Sequence, residues 1–533
     1  MTEMMSFHSE ILEMIRSKQI ADKKHLHNMK IKLCRKHNLK SIPPDSEILS
    51  CIPSDWSDEE VYDAQSILRK KPMRTVSGVA IIAVMTSPSS CPHGCCLPCP
   101  GGPSVNTPQS YTGYEPAARR AASNNYDPYE QTMQRLKQLE CIGHATSKVD
   151  LIIMGGTFTA RDLWYQEWFV KRCFDALNGY TSKTLEDAQS RNEASHSRCI
   201  GLTVETRPDW FRLQHVDNTL RFGATRVELG VQTVYDDTLH LIRRGHTVQD
   251  SINATFIAKN SGFKVCYHMM PGLPGMDEDR EMDSFMTVFN DQRFKPDMIK
   301  IYPTLTVQGT KLYELWRKGE YEPLTTDEAA RMIARIKTIV PEWVRIQRIQ
   351  RDIPVQYIAS GVSKSNLRQI VKEEMEKQGV RCRCIRCREV GHHVLSRSVS
   401  IEDDDIMISS TKYEASGSDE VFISITSRKH DVIIGYLRLR DILVSHRYEL
   451  TEEPCMIIRE VKILGRELPF SERRNSEWQH KGFGRRLISE AERICTEEYD
   501  KKRLFVLSGV GVKPYYRRLG FKDYGVYLVK SLT

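Results

Sequence analysis

The chain has 533 residues, 40% hydrophobic and 27% charged, which is ordinary globular composition with length for several domains. The apolar run Val79 to Met85 is far short of the roughly 18 residues a membrane helix needs, and MTEMMSFHSE lacks the charged-then-apolar order of a signal peptide, so a soluble, cytoplasmic protein is expected. A formal charge of +8 is small for this length, so where the basic residues sit matters more than their sum.

They crowd at the front. Between Arg16 and Lys40 there are nine Lys or Arg against the single acid Asp22, enough to meet several phosphates if they share a face. Apolar residues at Ile11, Ile15, Ile20, Met29, Ile31 and Leu33 suggest helices that hold the charges in place, which favours nucleic-acid contact over a solvated basic arm. Prolines at 43, 44 and 53 then argue for a linker or short docking element, which bounds a first unit over residues 1–75.

Over residues 76–355, six β-rich runs (VAIIAVM, VDLIIM, CIGLTVE, RVELGVQ, KVCYHMM, MIKIYPT) alternate with helix-length segments such as DPYEQTMQRLKQLECIG. This pattern predicts a parallel sheet, and six units fit an open or partial (β/α) barrel, whose chemistry belongs at the C-terminal ends of its strands. CPHGCCLPCPGG follows the first strand, MGGT ends the second, ETRPD the third, and LPG follows the fifth. TTDEAARMIARIKTIV and VPEWVRIQRIQRDIP should close the unit. A linker at 356–400 carries RCRCIRCREVG, and residues 401–533 read as a separate mixed α/β domain.

Of fifteen cysteines, seven fall in the two clusters, which in a reducing compartment point to metal rather than disulfides; the other eight are expected to be buried thiols. Cys91, Cys96 and Cys99 give C-x4-C-x2-C, while using Cys95 gives C-x3-C-x3-C. On spacing alone a structural zinc and an iron–sulfur cluster are equal readings. Two glycines in MGGT let a polar ligand approach the backbone, although a tight turn explains them as well. The cysteine triad, GGT, Glu205 and Gln232 after the first four strands in turn, with Arg244 in RRGHT, together resemble a radical S-adenosylmethionine barrel. That resemblance implies a 4Fe-4S cluster on Cys91, Cys96 and Cys99 with Cys95 spare. It also implies Gly155, Gly156 and Thr157 at the methionine end of the cofactor, and Glu205, Gln232 and Arg244 around the rest.

In the last domain QHKGFG resembles the pyrophosphate loop of Gcn5-related acetyltransferases, where amides at a helix N-terminus bind phosphate. YYRRLGF follows it, so Tyr515 and Tyr516 are catalytic candidates, with Tyr516 able to protonate a thiolate leaving group or merely to pack. The pairing of the two domains, with CPGGP, QSYTGYEP, IIMGGTF, ETRPD, HMMPGLP, QRDIP and QHKGFG, resembles the family of Elongator catalytic subunits in their stand-alone archaeal or bacterial form, over nearly the whole chain. It implies acetyl-coenzyme A contacts at Lys148, Glu460, Val461, Lys462, Ile463, Phe483, Gly484, Arg485 and Tyr516. It further implies a tRNA substrate, carboxymethylation of the wobble uridine at C5 by radical chemistry on the acetyl group, and an electron donor; the chain is expected to be a monomer or homodimer. An older reading of the family makes its members protein lysine acetyltransferases, and a tRNA-binding module with a merely structural barrel is a further alternative. Lys300 and Tyr302, from the sixth strand, are expected to position uridine or the acetyl group. Cys382, Cys384 and Cys387 suit a structural zinc, for which relatives suggest a distant histidine: His446, with His392 and His393 as nearer competitors.

Overall fold

The computed structural model describes residues 2–71, 75–395, 401–465, 468 and 478–532. The first unit is four helices, α1 (Thr2–Arg16), α2 (Lys23–Lys36), α3 (Asp45–Ser50) and α4 (Asp58–Leu68), closed over Phe7, Ile11, Ile15, Ile20, Leu26, Leu33, Ile48 and Leu68. Of the prolines expected to mark a linker or short docking element, Pro44 starts a helix. Pro44 is the N-cap of α3, and Ser57 opens α4 with a capping box to Glu60. Of the nine basic residues, Lys30 is buried on Asp45, and Arg16, Lys23 and Lys36 are also paired with carboxylates. Lys18, Lys24, Lys32, Arg35 and Lys40 are exposed.

The second unit is a parallel sheet in the order β1 (Ala80–Met85), β2 (Lys148–Met154), β3 (Arg198–Thr206), β4 (Arg226–Gln232), β5 (Lys264–Met269), β6 (Met298–Ile301) and β8 (Arg345–Arg348). A short antiparallel pair, β7 (Thr306–Val307) and β9 (Ile358–Ser360), flanks it. The sheet thus has seven strands, not the expected six. VPEWVRIQRIQRDIP supplies the seventh, an edge strand whose Arg345 is buried on Glu389.

Alternation along the strands sorts the side chains. Val149, Leu151 and Ile153, and likewise Val227, Leu229 and Val231, are fully buried in the main apolar core with the surrounding helices. The intervening residues Lys148, Asp150, Arg226, Glu228, Lys264, Cys266, His268 and Lys300 give the sheet's other face a polar lining.

The third unit is a seven-stranded sheet, in the order β10 (Ile406–Ala415), β11 (Ser418–Ser427), β12 (Val432–Ile442), β13 (Cys455–Ile463), β14 (Arg503–Val506), β16 (Tyr527–Ser531) and β15 (Lys522–Tyr524). Only β13 and β14 run parallel, and they pair just from Cys455–Arg503 to Ile458–Val506, so β13 continues past its partner and leaves a cleft beside Glu460–Ile463. Arg459 on β13 joins the units: its guanidinium donates to Asp297 of the barrel at 2.6 and 2.8 Å and to Glu420 of β11 at 2.7 Å, all fully buried.

Candidate functional site: two cavities at opposite ends of one barrel

The upper cavity lies at the C-terminal ends of the parallel strands. Cys91, Cys96, Cys99, Gly156, Thr157, Glu205, Arg207, Glu228, Gln232, Arg244, His268, Tyr302, Arg348 and Arg351 line it. Cys95 is exposed and does not. The loop is held by polar contacts to its sulfurs: His93 Nε2 lies 3.0 Å from Cys96 Sγ, Arg244 donates to the same sulfur at 3.7 Å, Gln109 Nε2 donates to Cys99 Sγ at 3.1 Å, and Thr157 Oγ1 is 3.5 Å from Cys91 Sγ. Burial pushes the Cys91 and Cys96 thiols up, with Arg244 opposing it. Hydrogen bonding from Cys95 draws the Cys99 thiol down to about 5.

The donor set distinguishes the two metal readings. Sulfurs on one tetrahedral zinc lie roughly 3.8 Å apart, given Zn–S near 2.3 Å. The sulfurs of Cys382, Cys384 and Cys387 all lie within 4.8 Å of one another, close enough to converge on one ion, whereas Cys91, Cys96 and Cys99 form no such group. The wider triad fits a multi-iron cluster. The cavity also holds buried polar atoms with no hydrogen-bond partner, Arg207 Nη1, Gln232 Oε1 and Arg244 Nε, as a site built for a polar ligand would. Gly155 is required where it stands: at φ +124°, a Cβ there would lie 2.2 Å from Thr86 Oγ1.

Beneath this cavity Lys300 is buried between two carboxylates, 3.2 Å from Glu205 and closely paired with Glu228. Burial pulls its ammonium down, but Glu228 outweighs that and holds it above the usual range. Tyr111 Oη donates to Glu205 at 3.1 Å, and His268 Nε2 lies 2.7 Å from Glu228. Glu228, Cys266 and His268 could together hold a metal, but the Lys300 ammonium already occupies the Glu228 carboxylate. The pairing continues downward, from Glu228 to Arg226 at 3.5 Å and from Arg226 to Asp150 at 3.2 Å.

Asp150 and Arg226 line the second cavity, at the N-terminal ends of the same strands, with Lys148 and Lys264. Its far wall is the cleft of the third unit: Glu460, Val461, Lys462, Ile463, Gln479, His480, Phe483, Gly484, Arg485, Tyr515 and Tyr516. Every residue expected to contact an acetyl-coenzyme A therefore borders one cavity. The loop at 479–482 opens the helix Phe483–Arg493, with Gly482 in the left-handed region at φ 86°. Lys148 Nζ donates to Gln479 Oε1 at 2.7 Å and lies 3.1 Å from His480 Nε2, so the barrel floor grips the loop directly. Burial pushes the Tyr516 phenol up, and it lowers the Lys264 ammonium to about 8 against the pull of Glu460.

The histidine expected with the second cysteine cluster is elsewhere. His446 Nε2 is 2.8 Å from Asp217 and is not grouped with Cys382, Cys384 and Cys387, because the loop after β12 packs its Arg447 on Asp217 as well. His393 Nε2 lies on the Cys387 carbonyl at 3.1 Å, and His392 lies 3.5 Å from Glu389. Of the eight remaining cysteines, Cys51 and Cys141 are exposed, so only six are buried.

Sequence reading missed Arg207, Glu228, His268, Arg348 and Arg351. Arg207 stands inside the quoted ETRPD, while Glu228 and His268 are polar residues at period two in strands that otherwise read as apolar.

A family model for the Radical SAM superfamily matches residues 87–286, with a Radical_SAM C-terminal domain at 296–377, an ELP3 N-terminal domain at 4–76 and an acetyltransferase (GNAT) domain at 475–530. The chain is 48% identical to the tRNA uridine(34) acetyltransferase of Methanocaldococcus jannaschii, over 98% of this chain and 96% of that one. It is 41% identical to Elongator complex protein 3 of Schizosaccharomyces pombe, over 98% and 97% of the two. The solved archaeal Methanocaldococcus infernus Elp3 with an N-terminus deletion (1–46) superposes with a TM-score of 0.77 at 45% identity, covering 86% of this chain and 100% of that one. A cysteine-triad barrel whose floor is closed by an acetyltransferase fold, matched along nearly its full length by these relatives, places the chain in the Elongator complex protein 3 family.

Proposed function

We propose that the protein modifies the wobble uridine of tRNA, placing on C5 a carboxymethyl group taken from acetyl-coenzyme A. The observation that carries this reading is that one barrel has a wide cysteine triad at one end and a nucleotide-loop cavity at the other, with a continuous line of buried charges between them. Relatives named tRNA uridine(34) acetyltransferase support the substrate.

Cys91, Cys96 and Cys99 would hold an iron–sulfur cluster, with S-adenosylmethionine over Gly155, Gly156 and Thr157, and together these supply one-electron chemistry when bound. The chain's own residues do the rest. Arg244, beside Cys96 Sγ, offsets negative charge at the triad. Glu205 and Glu228 fix the Lys300 ammonium at the cavity floor, where it orients Glu205 toward the ligand. Tyr302 forms part of the wall against which uridine is held. In the lower cavity the amides opening Phe483–Arg493 bind pyrophosphate, Arg485 adds positive charge, and Lys148 braces the loop. The Tyr516 phenol keeps its proton because it is buried, and so can donate it to the departing thiolate when the thioester is hydrolysed. Cys382, Cys384 and Cys387 would hold a structural zinc.

The test is anaerobic incubation of cluster-reconstituted protein with tRNA, S-adenosylmethionine, acetyl-coenzyme A and a reductant, followed by nucleoside analysis. Carboxymethyluridine at the wobble position is expected. Its absence, with deoxyadenosine also absent, would refute the reading.

A further inference from the structure

We propose that the stacked side chains of Tyr114 and Tyr357 form a platform, on the rim of the upper cavity, for a nucleobase adjacent to the reacting uridine. This rests on the RNA reading above and adds to it the residues that seat the loop. The two rings lie parallel, with centroids 3.6 Å apart and planes within 4°. Tyr114 nevertheless remains 46% exposed.

The turn that displays Tyr114 is tightly built. The buried Glu115 carboxylate accepts from the Thr112 amide at 3.0 and 3.1 Å, Gly113 turns at φ 87° over Thr107, and the Tyr114 amide donates to Thr112 Oγ1 at 3.2 Å. Both tyrosines belong to segments that border the cavity: Ser110, Tyr111 and Glu115 surround the first in sequence, and Arg348, Arg351 and Asp352 precede the second. Arg351 donates to the Ser110 carbonyl and so ties the two segments together, and it has no carboxylate partner among the described residues.

An aromatic pair with one half-exposed ring, on two segments joined by a guanidinium that has no carboxylate partner among the described residues, suits an unpaired nucleotide, because any base can stack on a π-face and Arg can take the phosphate. Holding the two segments together does not by itself explain the rings, since the Arg351 bond already does that.

The test uses full-length reconstituted protein and an RNA hairpin whose loop carries the uridine, with 2-aminopurine at one or the other neighbouring position. Wild-type protein is expected to quench the fluorescence at one of these positions. Tyr114→Leu and Tyr357→Leu should weaken binding about tenfold, as loss of one base–aromatic stack does, and abolish the quench. Tyr114→Phe should stay close to wild type. Wild-type affinity and quench in both Leu variants would overturn the platform, as would wild-type binding without quench at either position. A wild-type protein that binds no hairpin would overturn the RNA reading and the platform with it. Melting curves and iron content, unchanged across the set, distinguish loss of stacking from loss of fold.

Discussion

Cys95 and Cys96 are adjacent in sequence and identical in chemistry, and the loop separates them by direction: Cys96 is buried in the cavity wall under Arg244, while Cys95 faces out and hydrogen-bonds the Cys96 and Cys99 carbonyls. The outward cysteine is chemically competent and touches Cys99, but it is exposed and does not line the cavity. Cys95→Ala should therefore retain full iron and sulfide content after reconstitution, whereas Cys96→Ala should lose the visible charge-transfer absorbance of the cluster. Equal loss in both variants would show that Cys95 is a ligand. The sequence alone could narrow the triad to two spacings, but the choice between them depends on which sulfurs face Gly156, just past β2, and Arg244, past the helix Asp236–Leu241 that follows β4.

At the scale of elements, the strands announced themselves by apolar runs, and β8 did not. RIQR has charged ends, and its burial depends on Glu389 from the linker, a partner no local pattern reveals. Pro44 misled for a related reason, because proline marks a helix start as readily as a linker, and here it stands just before Asp45–Ser50. The loop after β5 shows how an element is secured. Glu281, on the helix Glu278–Asn290, accepts from the Gly272 amide at 2.6 Å, and burial pushes its carboxyl up to about 8. A carboxyl raised in the folded state binds its proton more tightly there than in the unfolded chain. Its stabilising contribution is thus complete below the ordinary carboxyl range near 4.5 and is lost as pH rises through about 8. Glu281→Gln keeps an acceptor for Gly272 and removes the titration. The variant should melt close to wild type at pH 4 and above it at pH 9, and a wild-type-like fall in its melting temperature over that range would contradict the assignment.

For the whole molecule, the proposed transfer between the two cavities would need the acetyltransferase cleft to stay docked under the barrel, and the joint combines an apolar part, with Ile457, Phe505, Leu507, Val510 and Tyr527 in the barrel's own core cluster, and a buried network of charges. Arg459 bonds Asp297 and Glu420, Arg440 bonds Glu420 and Asn260, and Lys259 adds a further cation, with none of these side chains reaching water to any extent. Burial works against ionised Asp297, but Arg459, Lys259 and Arg438 outweigh it and hold its carboxyl well below the usual range. Such a network is directional: it fixes one docking angle, where an apolar face would tolerate several. Removing one member leaves charges buried without compensation, which typically costs about 3–5 kcal/mol. Arg459→Leu should accordingly lower stability to denaturant by that order. It should also uncouple the two ends of the barrel, keeping S-adenosylmethionine cleavage while losing modified uridine, because the triad and its cavity lie at the far end of the strands from Arg459. A loss below about 1 kcal/mol, within the range of an exposed ion pair, with product formation intact, would mean that the docking angle is set elsewhere.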